Sequence, residues 1–105
     1  MDNAASKIQD MRQDAMAAID SVVFSGSEKQ AAWARQIART TVYQLGDRAA
    51  ANPRCEMSDA IYYAAIVAVA ATITSAKWWI DNRDIDHNSA LIPLLRACQE
   101  RGMQF

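Results

Sequence analysis

Along the first fifth of the chain, apolar side chains recur at the spacing of one helical face. Ala4, Ile8, Met11, Ala15, Ile19 and Val22 follow at steps of four, three, four, four and three. Asp10, Arg12, Asp14 and Asp20 fall off that stripe, so the pattern predicts a helix over 3–22 with one side turned to a core. Phe24-Ser25-Gly26-Ser27 then breaks the period. Ser25 with Glu28, or Ser27 with Gln30, has capping-box spacing: the hydroxyl bonds the third amide and the longer side chain reaches back. A second helix is therefore predicted from near Ser27 to about Ala50. Its broad apolar face carries Trp33, Ala34, Ile37, Ala38, Thr41, Leu45 and Ala49, while Arg35, Arg39 and Tyr43 lie opposite at i, i+4 and i+8.

Asn52-Pro53 stops that helix, because the residue before proline avoids helical backbone angles. Ser58 has the chemistry of an N-cap for a third helix from Asp59 to about Ile80, with Asp59 at its positive end. Ala60, Ala64, Ala65, Ala68 and Ala71 would let neighbours approach it closely. The 17 residues from Ala60 to Ala76 contain no charge. A spanning helix needs about 20 predominantly apolar residues, and Tyr62, Tyr63, Thr72, Thr74 and Ser75 interrupt this stretch, so it reads as a bundle-centre helix, not a membrane span. Asp81 to Asn88 forms a polar, acidic connection, and Ser89 or Asn88 would cap a short fourth helix ending near Gly102. Pro93 fits poorly if that helix begins at Ala90 and well if it begins at Pro93 itself. The predicted fold is all-α: a compact single-domain bundle of about four helices with antiparallel neighbours.

Composition supports this fold and narrows the chemistry. Of 105 residues, 21 are Ala and only 3 Gly and 2 Pro, which favours helix throughout. Eleven Lys+Arg against twelve Asp+Glu give a net charge of -1. That balance supplies neither the basic excess of a non-specific nucleic-acid binder nor the strong negative charge of a global DNA mimic. The opening Met1-Asp2-Asn3 has no basic segment followed by an apolar one, so no secretory signal is expected and the predicted location is cytoplasmic. Cys55 and Cys98 show no framework spacing and are expected to be reduced thiols.

Candidate chemistry is sparse. Asp84-Ile85-Asp86-His87-Asn88 begins like a calcium loop, but Ser89 and Leu95 stand where the loop requires Gly and a bidentate Glu. It reads as a solvated acidic loop with His87 exposed. One His with two distant thiols does not make a zinc site. Gly26, Gly46 and Gly102 are isolated, so no phosphate-cradling loop is present, and no nucleophile elbow supports a triad. No enzyme activity, cofactor or metal is expected. The Arg35, Arg39 and Tyr43 row has two readings: a solvated face whose Arg stems cover apolar surface, or a patch that binds phosphate, bases or a protein. Trp78 and Trp79 point about 100° apart on a helix, so one belongs in the core and the other at a rim; spacing does not say which.

Two segments carry a resemblance. Gly26-Ser27-Glu28-Lys29-Gln30 followed by Trp33-Ala34 and Ile37, and downstream Ala76-Lys77-Trp78-Trp79-Ile80-Asp81-Asn82-Arg83, resemble a motif pair of small phage and mobile-element helical proteins. Those proteins include some type I anti-CRISPR proteins. The likeness covers about 20 of the 105 residues, and its motif residues also have structural readings. Ser27 and Gln30 cap, Trp33 and Ile37 fill the core, Asp81-Asn82 ends a helix, and Arg83 pairs with Asp47 or Glu28.

The resemblance implies a phage-encoded inhibitor that binds a type I CRISPR surveillance complex, or its helicase-nuclease, in the infected bacterial host. Its expected partner is a protein, engaged through residues drawn from Arg35, Arg39, Tyr43, Trp78, Asp81, Asn82, Arg83, Asp84 and Asp86. Asp81, Asp84 and Asp86 would imitate phosphates locally. The alternatives are a nucleic-acid-binding accessory module using the Arg row, and a self-association module using the Ala-rich helix. The chain would be a monomer or a homodimer.

Overall fold

The computed structural model describes residues 4–84 and 89–102, and in it five helices share one apolar core. Helix α1 (Ala4–Asp20) buries Ala4, Ile8, Ala15 and Ile19, with Met11 half-buried and Val22 closing the stripe beyond its end. This is the predicted face. The helix stops where the Ser21 hydroxyl donates to Ala17 O at 2.9 Å and β-branched Val22-Val23 begins an extended segment.

Helix α2 (Glu28–Ala51) is the axis of the molecule and touches all four others. Of the two capping pairs, Ser27 and Gln30 form the box. Ser27 Oγ accepts from Gln30 N–H at 3.2 Å, and Gln30 Oε1 accepts from Ser27 N–H at 3.1 Å. The glycine before the cap is required twice over: Gly26 has φ +107°, and a Cβ there would stand 2.8 Å from Gln30 Oε1. The buried face comprises Ala34, Ile37, Ala38, Thr41, Val42 and Gly46. It is rotated away from the predicted one, and Trp33 is 39% exposed at its edge, not in the core. At Gly46 side chains of α1 and α3 press directly onto the α2 backbone. A Cβ there would meet Arg12 Cδ at 2.7 Å and Tyr63 Oη at 3.0 Å, so a hydrogen is all that fits between α1, α2 and α3.

The fold is all-helical as expected, and the count is close: the predicted third helix is two helices, which makes five among the described residues. Helix α3 (Met57–Thr72) ends at the β-branched run Thr72-Ile73-Thr74, and α4 (Ala76–Asn82) begins after Ser75. The break is held from outside. Ser25 N–H donates to Thr74 O at 2.9 Å, forming a one-residue parallel bridge between Ser25 and Ser75. Ser75 Oγ then caps α4 at Trp78 N–H, and Trp79 Nε1–H donates to Ile73 O at 2.9 Å. Trp79 is fully buried and is the core tryptophan. The cap position of α3 is Glu56, not Ser58, and Asp59 Oδ2 accepts the Glu56 N–H at 2.7 Å.

Helix α3 is also not the bundle centre. Ala60, Tyr63, Ile66 and Ala70 face inward, while its opposite side is open. Among the described residues no helix is long and apolar enough to cross a membrane. Helix α5 (Leu91–Glu100) starts at neither predicted boundary, with Pro93 in its first turn, where its missing N–H has no intrahelical partner to lose. Its cap position is Ala90, not Ser89. Ala90 N–H is satisfied from across the core by Thr41 Oγ1 at 2.8 Å, while the same hydroxyl donates to Ile37 O. Gly102, at φ +92°, follows the helix as predicted.

Candidate functional site

The two motif segments, about fifty residues apart in the chain, fold against one another. The backbone bridge joins Ser25 to Ser75, a Cβ placed on Gly26 would meet Ala76 Cβ at 3.6 Å, and α4 packs against α2. Beyond α4 the chain turns so that the Arg83 guanidinium sits 4.3 Å from the centre of the Trp33 ring. Arg83 also donates to Ile80 O, and Asn82 Nδ2 donates to Trp78 O at 2.8 Å. Arg83 thereby occupies a free carbonyl at the end of a seven-residue helix, while Asn82 bonds back onto the carbonyl one turn before it. The Ile80-Asp81-Asn82-Arg83 motif is a helix-ending device that also fixes an arginine over an exposed indole. Arg83 does not reach Asp47, whose carboxylate pairs with Arg12 at 3.4 Å.

The arginine row on α2 is not an open patch. Arg35 is half-buried: Nη2 donates to Val22 O at 2.8 Å, and the guanidinium lies 5.5 Å from the centre of the Phe24 ring. Arg39 pairs with Asp20 at 2.5 Å. Tyr43 is exposed, with the Arg12 guanidinium 4.4 Å from its ring centre. Each member of the row therefore ties α2 to α1 or to the segment after it. The row's cations already have partners, which leaves little charge for phosphate.

The acidic residues are dispersed. Asp81 bonds Lys77 Nζ at 2.6 Å one turn back and raises the pKa of that ammonium, first through the hydrogen bond and then through its charge. Asp84 is exposed, with its N–H donating to Ser89 O. Asp86 and His87 lie outside the described residues. Trp78 is half-buried, edge-on to Trp79 with ring centres 5.0 Å apart. It lines a shallow hollow with Thr72, Ile73 and Arg101, apart from the hollow that Asn82, Arg83 and Asp84 share with Arg48. The structure thus gathers Asn82, Arg83 and Asp84 around one hollow, sets Arg83 alone of them against Trp33, and leaves Trp78 and the Arg35/Arg39/Tyr43 row elsewhere.

Among the described residues no three of His, Cys, Asp and Glu come together as a metal site. The two perturbed thiols and the perturbed phenol reflect packing. Burial pushes the Tyr63 hydroxyl up to about 12 against the opposing Arg12 charge. Tyr63 Oη donates to Val42 O at 3.1 Å. Burial likewise raises the Cys98 thiol, opposed by Arg101, and desolvation with the nearby Asp59 charge raises Cys55. Both thiols are free.

The sequence reading missed a second exposed surface, the outer side of α3, where Met57, Ile61 and Tyr62 stand exposed. The uncharged run from Ala60 to Ala76 was its signal, read there as burial. Comparison with protein-family models, curated proteins and solved structures finds no match to this chain.

Proposed function

We propose that this protein is an inhibitor that acts by occupancy. It binds a protein surface of a type I CRISPR surveillance complex or its recruited helicase-nuclease, and blocks DNA entry or recruitment. The target class comes from the resemblance of the two motifs. The binding mode comes from one observation, the exposed Trp33 ring held under Arg83 where those motifs meet. Tryptophan and arginine dominate the small set of residues that carry interface energy. Here the pair is ordered before any partner arrives, because Arg83 is fixed at Ile80 O and by the ring itself. Pre-ordering lowers the entropic cost of association. The internal engagement of Arg35 and Arg39 favours a protein partner over nucleic acid.

The test is inhibition of target-DNA cleavage by purified type I complexes with their nuclease. The wild-type chain should inhibit, and Trp33→Ala and Arg83→Ala should each raise the concentration needed by about 30-fold or more, the cost of losing a hot spot. Unchanged circular dichroism in both variants keeps the loss attributable to the surface. Equal potency of wild type and both variants, or no inhibition of any type I complex, would refute the proposal.

A further inference from the structure

The outer side of α3 has the pattern of a helix-pairing seam. Met57, Ile61, Ala64, Ala68 and Thr72 are all exposed, at spacings of four, three, four and four. The first four match the alternating step at which one helix lays its side chains between those of another. Ile61 is 67% exposed, the most open large side chain of this helix. No charge occurs from Ala60 to Ala76. On either side of this ridge runs an apolar groove. One, of about 330 Å³, is lined by Leu45, Ala49, Tyr62 and Leu95, with Asp59 at its polar part. The other, of about 290 Å³, is lined by Met11, Ala18, Val67 and Ala68, with Asp14 at its polar part.

We infer that this chain pairs with a second copy of itself through α3, as a two-fold antiparallel dimer. The occupant follows from how the seam is graded: bulky Met57 and Ile61 at one end, small Ala64 and Ala68 at the other. A parallel copy would set bulk against bulk and leave a gap at the far end. An antiparallel copy sets Met57 against the partner's Ala68 and Ile61 against the partner's Ala64, in a single register with the axis between Tyr62 and Tyr63. Large against small at facing positions is the condition for close packing. A ridge beside grooves on one surface meets the demand of a two-fold interface that the same patch fit itself.

Size sets the strength. Sixteen residues make a helix about 24 Å long, and neighbours flank it at about 8–10 Å. The ridge with its grooves therefore covers roughly 400 Å² in projection on each copy. Two such faces total about 800 Å², below the standard size of a stable interface, so the dimer is weak and reversible. This pairing is independent of the Trp33–Arg83 surface.

Sedimentation equilibrium from about 1 μM to 1 mM brackets that strength. The wild-type chain should shift from monomer to dimer across the range, and Ile61→Lys should weaken the shift about 100-fold by placing an unpaired charge in the seam. Ala64→Glu should do the same alone. Mixing the two variants should restore a heterodimer, because the register sets the introduced lysine against the introduced glutamate. Both substituted positions are exposed in the monomer, so circular dichroism should remain native. A wild-type chain that stays monomeric to 1 mM, an Ile61→Lys variant that dimerises as well as wild type, or mixed variants that stay apart would each overturn the inference.

Discussion

Thr41 is fully buried, and its hydroxyl serves two helices at once, donating to Ile37 O and accepting from Ala90 N–H, each at 2.8 Å. Thr41→Val keeps the shape and exchanges the hydroxyl for a methyl. Ile37 O retains its place in the helix ladder, but Ala90 N–H at the start of α5 loses its acceptor inside the core. An unsatisfied buried amide costs about 1–3 kcal/mol, and the added methyl returns less than about 1 kcal/mol. The net loss should be about 1–2 kcal/mol. For about 105 residues that lowers the melting temperature by roughly 5–10 °C. Thr41→Ser keeps both hydrogen bonds and loses a methyl, at about 1 kcal/mol. Thermal unfolding followed by circular dichroism gives the two stabilities, and amide hydrogen exchange reads Ala90 directly. Its protection should fall in the valine variant and persist in the serine variant. A valine variant as stable as wild type, with Ala90 still protected, would refute the claim that this hydroxyl anchors α5.

Tyr63 should make stability fall at high pH. Its folded pKa is raised to about 12 from an ordinary 10, so its contribution is complete below pH 10 and is lost as pH rises toward 12. Up to about 2–3 kcal/mol is at stake. Urea midpoints measured from pH 9 to 12 should show this decline in wild type and lack it in Tyr63→Phe. Arg39→Ala should cost under about 1 kcal/mol, since its pair with Asp20 is exposed. Arg35→Ala should cost more, about 1–2 kcal/mol, because a part-buried bond to Val22 O is lost along with the Phe24 contact; chemical denaturation ranks the two. A thiol reagent should modify the half-exposed Cys55 in the native chain and reach Cys98 only on opening. Mass spectrometry of the labelled peptides assigns each rate.

Local patterns carried much of the fold, and contacts between distant segments carried the rest. The α1 stripe, the Ser27–Gln30 cap and the Gly102 stop each depend on neighbours within one or two turns, so spacing alone located them. The break between α3 and α4 depends on Ser25, fifty residues upstream, whose N–H takes Thr74 O. The β-branched Thr72-Ile73-Thr74 run and the Ser75 cap are local marks of it, masked by the alanines on either side. Trp33 looked like core because it shares the helical spacing of Ala34, Ile37, Ala38 and Thr41. The buried face of α2 turned instead toward Val42 and Gly46, where the missing Cβ lets α1 and α3 close in. The arginine row shows the same limit. A helical wheel puts Arg35, Arg39 and Tyr43 on one side, but Val22 O, Asp20 and Arg12, supplied by α1 and the segment after it, occupy that side. The motif residues had structural readings in advance, and Asn82 fulfils its own as a helix-ending donor to Trp78 O. Arg83 does so through different partners from those expected, Ile80 O and the Trp33 ring.

Stoichiometry tests the central claim, that this chain works by binding and not by reacting, most directly. The protein is titrated into a fixed amount of a purified type I surveillance complex with its nuclease and target DNA, and cleavage is followed against the molar ratio and against time. Occupancy predicts inhibition that rises in proportion to added protein, saturates at a fixed ratio, and does not deepen on longer incubation at a given ratio. Inactivation that progresses with time at substoichiometric protein, leaving the target covalently altered, would contradict it.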